Sequence, residues 1–258
     1  MRALVTGAGK RLGAAMALYL AGRGYDVAVH YATSQLDAED VVAKITALGR
    51  RAVALSADLL LEAETQTLVA RAADALGGPL TLLVNNASIF EHDTITTATR
   101  NSWDRHIESN LRAPFVLTQT FAAQAPHALP DDQGEATAQA MILNMIDQRV
   151  LKLTPEFMSY TIAKMGLWAL TQTSAQALAP HIRVNAIGPG PTLQGTRQTL
   201  DHFTRQRHAT VLQRGVNARD ITAALGYFLD APGVTGQLIC VDGGQHLAWK
   251  TPDVLGVE

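Results

Sequence analysis

The sequence predicts an α/β fold with one doubly wound, mostly parallel sheet of about seven strands and helices on both faces. Short apolar runs alternate with longer Ala-rich segments along all 258 residues, and neither an internal repeat nor a low-complexity linker divides them. Apolar runs without alternating polar residues are typical of strands buried on both faces of a parallel sheet. Regular strand–helix alternation is typical of doubly wound folds. We therefore predict a single domain over residues 1–258.

The predicted elements follow one another without a break. Seven apolar runs predict the strands Ala3–Thr6, Val27–His30, Ala52–Leu55, Leu82–Val84, Met141–Met145, Arg183–Ala186 and Leu238–Val241. Apolar residues spaced at helical period predict the helices Leu12–Arg23, Leu36–Leu48, Glu62–Leu76 and Glu156–Leu178, and Asn110 falls within a further long helix, Asn110–Gln124. The segment Pro126–Thr137 is rich in Pro, Asp and Gly, which predicts a surface loop.

Composition excludes several functional classes. Lys and Arg total 21 against 23 Asp and Glu, so the chain has no basic field that would hold nucleic acid. The single cysteine, Cys240, excludes an internal disulfide framework and a cysteine-built metal site, and the histidines show no metal-ligand spacing. The start MRALVTG already reads as strand and turn, and no apolar run of about 18 residues follows. We predict a cytoplasmic protein that acts on a small molecule without a metal ion.

A glycine-rich turn follows the first predicted strand. It reads TGAGKRLG from Thr6 to Gly13 and leads directly into a helix. Gly7, Gly9 and Gly13 let the backbone approach a pyrophosphate, and the helix N-terminus, next to Leu12, offers N–H groups and a positive dipole end. The strand–turn–helix setting predicts a Rossmann-type dinucleotide site.

The end of the second strand indicates which dinucleotide binds. NAD-binding sheets usually place an acidic residue about 20 residues after the glycine turn, to bind the ribose 2′-hydroxyl. Here His30 to Ser34 contain no carboxylate. Lys10 and Arg11 instead bring two positive charges to the turn, and the hydroxyls of Thr33 and Ser34 can complete a site for a 2′-phosphate. This pattern predicts NADPH.

A tyrosine and a lysine in the predicted helix Glu156–Leu178 have the spacing of an acid–base pair. Tyr160 and Lys164 are four residues apart, which places both side chains on one helix face. A phenol with a pKa near 10 is a poor catalyst at neutral pH unless a nearby ammonium stabilises its phenolate. We predict that Tyr160 is the catalytic acid and that Lys164 lowers its pKa.

Taken together, these motifs are similar to those of the short-chain dehydrogenase/reductase family, in the family's order and over almost the whole chain. The matching residues are TGAGKRLG, Asp58 of SADL, the NNAS run Asn85–Ser88, Asn110, Tyr160 with Lys164, and Ile182–Thr192. The resemblance implies that Asp58 and Leu59 contact adenine, that Asn86, Ala87 and Ser88 close the adenine-ribose side, and that Pro189, Gly190 and Thr192 border the nicotinamide. It assigns Asn110 to a water-bridged proton relay with Lys164. It also implies a substrate loop at about 190–215 and a homo-oligomer, dimer or tetramer, built on helices 110–124 and 156–178.

Two departures from the family pattern resemble one branch of it, the pteridine reductases, and the related dihydromonapterin reductases. Arg11 stands where the family normally has glycine, and Asp147 stands where it has serine, thirteen residues before Tyr160. The HY-x-x-S end of the second strand also matches that branch, and Phe90 occupies the place where it stacks the pterin.

The chemistry of an acid at position 147 supports a C=N substrate. Hydride addition to a C=N bond requires protonation of the nitrogen, and a carboxyl group beside Tyr160 in an apolar site would have a raised pKa and act as a proton source. The alternative interpretation of Asp147 is a turn residue at a strand end, where Asp is frequent. For Phe90 the alternative is simple packing.

The sequence thus predicts an NADPH-dependent oxidoreductase acting on a pterin-like C=N substrate bound by Phe90, Asp147 and Tyr160. A carbonyl reductase of ketones or 3-oxoacyl thioesters is the first alternative, and a non-catalytic dinucleotide-binding protein is the second. The segment Thr192–Gly215 is either a solvated basic helix or a site for an anionic substrate tail; its basic residues are Arg197, His202, Arg205, Arg207, His208 and Arg214.

Overall fold

The structure, a computed structural model, describes residues 1–195, 198–251 and 254. Its strands are β1 (Arg2–Val5), β2 (Asp26–Tyr31), β3 (Ala52–Ser56), β4 (Leu82–Asn85), β5 (Leu129–Pro130), β6 (Ala136–Thr137), β7 (Ala140–Met145), β8 (Ile182–Pro189) and β9 (Leu238–Val241). Its α-helices are α1 (Arg11–Gly22), α2 (Gln35–Ala47), α3 (Glu62–Leu76), α4 (Arg100–Ile107), α5 (Ala113–Ala122), α6 (Met158–Leu178), α7 (Leu200–His208) and α8 (Ala218–Asp230).

Seven of these strands form one parallel sheet in the order β3-β2-β1-β4-β7-β8-β9. The predicted doubly wound α/β fold is therefore confirmed. The strand order reverses between β1 and β4, and a crevice opens beyond the carboxyl ends of strands at such a switch point. The glycine turn follows β1 and the NNAS run continues from β4, so both motifs meet at this crevice.

Successive residues of the central strands face two separate apolar layers. Val5 and Leu82 pack with α1, α2 and α8, and the neighbouring Leu4 and Leu83 pack with α3 and α5. This alternation follows from the period of two residues in a strand, and it explains why these strands are apolar throughout. Within the described ranges, no helix combines the length and the apolar character needed to cross a bilayer.

The region predicted as one long helix over Asn110–Gln124 has three parts and begins earlier. After α4, a π-helical segment spans Glu108–Arg112 and then α5 begins. Pro114 lies in the first turn of α5 and has no N–H to donate to the Asn110 carbonyl four residues before it. A π-helical segment is rare and often lies at a functional site, and here it places Asn110 in an irregular part of the helix.

Two further expectations need correction. The predicted loop Pro126–Thr137 contains a short antiparallel hairpin, β5–β6, because Asp131 accepts the N–H groups of Gln133 and Glu135 at 2.8 and 2.9 Å and so closes the turn. Helix α6 begins at Met158 rather than at 156, because Phe157 has a φ of +58°, which is incompatible with a right-handed helix.

Candidate active site

The glycine turn leaves no room for side chains. A Cβ on Gly13 would lie 2.2 Å from the Gly7 carbonyl oxygen, and one on Gly9 would lie 3.0 Å from the Ser34 hydroxyl. Gly7 also has a φ of +59°, which disfavours other residues. Lys10, at the N-terminus of α1, provides no side-chain cap for the helix. The N-terminus of α1 therefore has no side-chain cap, and its N–H groups can bind a pyrophosphate.

Hydrogen bonds join the NNAS run to the glycine turn. The Thr6 hydroxyl oxygen accepts the N–H groups of Asn86 and Ala87 at 2.9 and 3.0 Å. The Asn86 side chain donates in return to the carbonyls of Thr6 and Gly7, at 2.8 and 3.2 Å. Asn86 thus fixes the shape of the turn, and Ser88 follows in an exposed position at the crevice.

His30 supports the turn from the protein interior. Its Nδ1 atom accepts the Gly7 N–H at 3.0 Å, so Nε2 carries the proton and donates to the Ala57 carbonyl, also at 3.0 Å. Burial lowers the pKa of the ring, which agrees with a neutral imidazole. Both nitrogens are engaged, so the geometry gives His30 a positioning role rather than a direct contact with a cofactor.

The adenine side of the crevice carries the remaining predicted residues. Thr33 is exposed and Ser34 half-buried at the start of α2. Asp58 is exposed beyond β3, where its carboxylate accepts the Leu60 N–H at 3.0 Å, and Leu59 is buried beside it. These positions leave Asp58 and Thr33 accessible from the end of the sheet at which the glycine turn lies.

Lys10 and Arg11 point in different directions, contrary to the expectation that both charges face the end of β2. The Lys10 ammonium pairs with Asp37 of α2 at 2.9 Å, on the side where Ser34 borders the turn. The Arg11 guanidinium instead donates to the carbonyls of Gln194 and Leu193, at 2.8 and 3.1 Å. Tertiary contacts set the direction of such long, flexible side chains, and these contacts cannot be predicted from the sequence.

The backbone of Arg11 explains its unusual position in the motif. Its φ is +54°, the left-handed region that glycine adopts freely and that costs another residue about 1–2 kcal/mol. The turn therefore has at Arg11 a backbone conformation that favours glycine. The two carbonyl hydrogen bonds across the crevice offset part of that cost.

Tyr160, Asp147 and Lys164 come together at the carboxyl end of β7. The Tyr160 hydroxyl donates to Asp147 Oδ2 at 3.0 Å. The Lys164 ammonium donates to the Met145 carbonyl at 2.8 Å and lies 5.7 Å from the centre of the Tyr160 ring. Tyr160 and Lys164 are both buried, so this cluster of ionisable groups is largely shielded from water.

Burial controls the pKa values of this cluster. It raises the pKa of Asp147 and lowers the pKa of Lys164 to about 8, although the Asp147 charge partly opposes the second effect. Burial and the nearby Asp147 raise the pKa of Tyr160 well above its usual range. Burial and Asp147 thus outweigh Lys164 in setting the pKa of Tyr160, and the expected stabilisation of the phenolate by Lys164 stays a prediction. The phenol stays protonated, as a proton donor must.

Asp147 satisfies both interpretations drawn from the sequence. Its Oδ1 atom accepts the Arg149 N–H at 2.8 Å and caps a short 3₁₀ helix, Gln148–Leu151, as a turn residue does. Its Oδ2 atom remains directed at the Tyr160 hydroxyl. The cap therefore holds the carboxyl group in place beside the phenol.

An aromatic surface adjoins the Tyr160 hydroxyl. Phe90 is 48 % exposed, and its ring centre lies 4.7 Å from that of Tyr160 in an edge-to-face arrangement. Phe157 stacks on Phe90 with ring centres 4.2 Å apart, and the Arg149 guanidinium lies 5.1 Å from the Phe157 ring centre. The sequence reasoning missed Phe157 and Arg149. Their nearness to Tyr160 and Asp147 in the chain is the signal that could have identified them.

Asn110 is fully buried, and its side chain holds the start of the loop that bears Phe90. Its Oδ1 accepts the Ile89 N–H at 3.0 Å and its Nδ2 donates to the Ile89 carbonyl at 2.8 Å. The oxygen and the nitrogen of the amide are thereby each engaged in a hydrogen bond with Ile89. The water-bridged relay between Asn110 and Lys164 that the family resemblance implies stays a prediction.

The segment beyond β8 forms the far wall of the crevice. Gly190 packs against Asp242, where a Cβ would lie 2.5 Å from its Cα, and Thr192 donates to the Gly190 carbonyl at 3.0 Å. Arg207 of α7 donates to the carbonyls of Pro191 and Val216 at 3.0 and 2.7 Å.

Arg207 thus links α7 to the backbone at Pro191 and Val216. Neither interpretation of the basic segment predicted this structural role. Arg214 pairs with Asp220 at 3.0 Å. Arg205, His202 and His208 lie on α7, which has no buried residue, whereas Arg197 lies outside the described residues.

Comparisons with known proteins agree with this geometry. The family described as short chain dehydrogenase matches residues 1–205. The 3-oxoacyl-[acyl-carrier-protein] reductase FabG of Staphylococcus aureus is 30% identical over 250 residues, 95% of this chain and 98% of the relative. Among solved structures, FolM Alternative dihydrofolate reductase 1 from Brucella suis in complex with NADP is 42% identical, covers 98% of each chain and superposes with a TM-score of 0.90. A short chain dehydrogenase from Burkholderia cenocepacia in complex with NADP is 32% identical, with a TM-score of 0.84 over 95% of this chain and 97% of that one.

Proposed function

The chain belongs to the short-chain dehydrogenase family, and we propose that it is an NADPH-dependent reductase of a C=N bond in a pterin-like ring. The observation that carries this proposal is the buried hydrogen bond between Asp147 and Tyr160, at 3.0 Å. A hydroxyl donor is sufficient for a ketone, whereas a carboxyl group with a raised pKa suits a nitrogen that must be protonated. The 42% identity to FolM Alternative dihydrofolate reductase 1, over 98% of the chain, supports the same assignment.

The cofactor follows from the turn and from the relatives that bind NADP. The exclusion of side chains at Gly9 and Gly13 fits a pyrophosphate, and Lys10 with Ser34 forms the site for the 2′-phosphate. Asp58 and Leu59 would lie against the adenine, and Pro189, Gly190 and Thr192 against the nicotinamide. When bound, NADPH supplies the hydride.

The residues of this chain control the proton that accompanies the hydride. As the C=N π bond breaks, its electron pair moves to the nitrogen, which takes the proton of the Tyr160 hydroxyl. Asp147 lies within hydrogen-bond distance of Tyr160, and burial, which raises its pKa, favours the protonated carboxyl group that could return a proton to the phenolate. The Lys164 ammonium stabilises the transient phenolate and would also bind the nicotinamide ribose. The C=N bond becomes CH–NH, with one hydride and one proton added.

The aromatic surface supports a planar substrate. Phe90 is half-exposed beside Tyr160 and has Phe157 stacked on it, so its ring can stack on one ring of a fused heterocycle. Stacking on such a face orients the ring without specific polar contacts. Asp147 can also accept from the amidine-like edge of a 2-amino-4-oxo ring.

The second candidate is a carbonyl reductase. FabG of Staphylococcus aureus is 30% identical over 95% of this chain, which supports a 3-oxoacyl thioester or ketone as the substrate. In that case Asp147 would act only as the cap of the segment Gln148–Leu151. The Tyr160 and Lys164 pair would serve either reaction.

A substrate panel separates the two candidates. NADPH oxidation is followed at 340 nm with dihydrobiopterin, dihydromonapterin, a 3-oxoacyl thioester and simple ketones. We expect turnover with a dihydropterin, and kcat/KM for the thioester and the ketones at least about tenfold lower. Turnover of the thioester or ketones alone would overturn the proposal in favour of the carbonyl reductase.

We also propose a cytoplasmic homo-oligomer, a tetramer or a dimer. Phe115 of α5 and Ile162 and Met165 of α6 are partly exposed apolar side chains on the two helices that the family resemblance assigns to an interface. Light scattering coupled to size exclusion would give the subunit number, and a monomer at micromolar concentration would refute this part of the proposal.

A further inference from the structure

The catalytic helix α6 lacks a cap of its own. The residue before it, Phe157, has a φ of +58° and its side chain makes no cap hydrogen bond. The first N–H groups of any helix have no partner within the helix and need an acceptor from elsewhere. Tyr160 lies in this first turn, so whatever supplies the acceptor also sets the position of the catalytic phenol.

Asp93, from the loop that follows β4, supplies the missing acceptors. Its Oδ1 accepts the Ser159 N–H at 3.1 Å, and its main-chain carbonyl accepts the Met158 N–H at 3.2 Å. Its Oδ2 accepts the Ser159 hydroxyl, and the Ser102 hydroxyl lies 3.1 Å away. The side chain is only 2 % exposed, and a carboxylate at a helix N-terminus is favoured by the helix dipole.

His106 of α4 extends this cap to the segment that carries Phe90. Its Nε2 atom accepts the Glu91 N–H at 3.1 Å, so the proton lies on Nδ1, which donates to the Ser159 hydroxyl at 2.7 Å. The ring is fully buried, and burial lowers its pKa, in agreement with a neutral imidazole. A directed chain of hydrogen bonds therefore runs from Glu91 through His106 and Ser159 to Asp93.

We propose that Asp93 and His106 are positioning residues that hold the Phe90 loop and the Tyr160 end of α6 in one fixed arrangement. The chain of hydrogen bonds begins at Glu91, one residue after Phe90, and passes through Ser159, one residue before Tyr160. The rings of Phe90 and Tyr160 lie 4.7 Å apart. None of its members touches the reacting atoms. The proposal rests on the proposed function only in taking Tyr160 as the acid and Phe90 as a substrate contact.

The charge of Asp93 agrees with this role. Burial by itself would raise the pKa of its carboxyl group, but the hydrogen bonds from Ser159 and Ser102 lower it, so the group is ionised at neutral pH. An ionised carboxylate can accept at both oxygens, whereas an amide accepts at one only. Asp93→Asn keeps the shape and removes one acceptor.

The first experiment measures kcat, KM and the NADPH dissociation constant of Asp93→Asn and Ser159→Ala. We expect kcat to fall by about tenfold or more in Asp93→Asn and by less in Ser159→Ala, because small displacements of reacting groups are costly. NADPH binding should stay within about twofold, since the glycine turn lies on other elements. Asp131→Asn is the matched control, because Asp131 also accepts two turn N–H groups, in the β5–β6 hairpin, and should leave kcat unchanged.

A double-mutant cycle distinguishes positioning from a merely structural role. If the cap sets Phe90 relative to Tyr160, Ser159→Ala should raise KM in the unmodified protein but not in the Phe90→Ala background. If both capping variants keep kcat and KM within about twofold while the unfolding midpoint falls, or if NADPH affinity falls in parallel with kcat, the proposal is overturned. Should Asp93→Asn not fold, Ser159→Ala decides the question alone. A ketone substrate would refute the proposed function, and the same comparison of kcat would then be made on that ketone.

Discussion

The ion pair between Lys10 and Asp37 leads to a prediction about cofactor affinity. Lys10 is the basic side chain that remains at the proposed 2′-phosphate site, because Arg11 is directed to Leu193 and Gln194. Asp37 holds its ammonium at 2.9 Å, and the two side chains are 58% and 44% exposed. A bound 2′-phosphate must compete with this carboxylate for Lys10. We therefore expect Asp37→Asn to tighten NADPH binding and to leave NADH binding unchanged.

The magnitude follows from the exposure of the pair. Exposed ion pairs are worth about 0.2–1 kcal/mol, which corresponds to a factor of about 1.4–5 in a dissociation constant. We expect NADPH to bind up to about fivefold more tightly to Asp37→Asn, and the gain to vanish at 1 M salt, where the Debye length is about 3 Å. Lys10→Met should weaken NADPH about tenfold, or 1.4 kcal/mol, without affecting NADH.

The assay is a fluorescence titration of the reduced nicotinamide with each protein, at low and high salt. Asp40→Asn is the matched control. Asp40 lies on α2 one helical turn after Asp37 and pairs with Lys44 at 2.6 Å instead of with Lys10. If Asp37→Asn bound NADPH no better than Asp40→Asn, or more weakly than the unmodified protein, Asp37 would serve to orient Lys10, and the competition argument would be refuted.

Three further predictions concern the catalytic residues. Tyr160→Phe should abolish turnover and leave NADPH affinity within about twofold, as measured by stopped assay and titration, because only the acid is removed; substantial residual activity would make Asp147 the sole proton donor. Because the pKa of Lys164 is about 8, its ammonium is lost as the pH rises through that value, so NADPH affinity should fall there, and Lys164→Met should bind weakly with no step near pH 8. Phe90→Ala should raise KM for a dihydropterin more than it lowers kcat, because stacking stabilises ground and transition states alike; a pure kcat effect would argue against stacking.

The sequence predicts the fold well because its signals are local. Apolar strands and helical periodicity are read residue by residue, and their regular alternation indicates a doubly wound parallel sheet. The order of the strands was not predicted. The π-helical segment at Glu108–Arg112 was missed. Pro114 indicates an irregularity there, because it has no N–H to donate to the Asn110 carbonyl.

The site is only partly predictable, because it depends on contacts between distant parts of the chain. Asp147 lies beside Tyr160 as expected, because the family pattern identifies both positions in the sequence. The direction of Arg11, and the cap that Asp93 provides for a helix 66 residues later in the chain, are fixed by tertiary packing alone. In the sequence, His106 has no feature that distinguishes it from an ordinary helix residue. Its role is evident only from its hydrogen bonds with Glu91 and Ser159 in the fold.

The central claim is that Asp147 makes this site a reductase of C=N rather than C=O bonds. The most direct test is the ratio of kcat/KM for a dihydropterin to that for a ketone, measured in the unmodified protein and in Asp147→Ser. We predict that the unmodified protein favours the dihydropterin and that the substitution lowers this ratio by about 10²–10⁴-fold, the usual effect of one positioned proton donor. A ratio unchanged by the substitution, or an unmodified protein that reduces 3-oxoacyl thioesters rapidly and no dihydropterin at all, would contradict the claim.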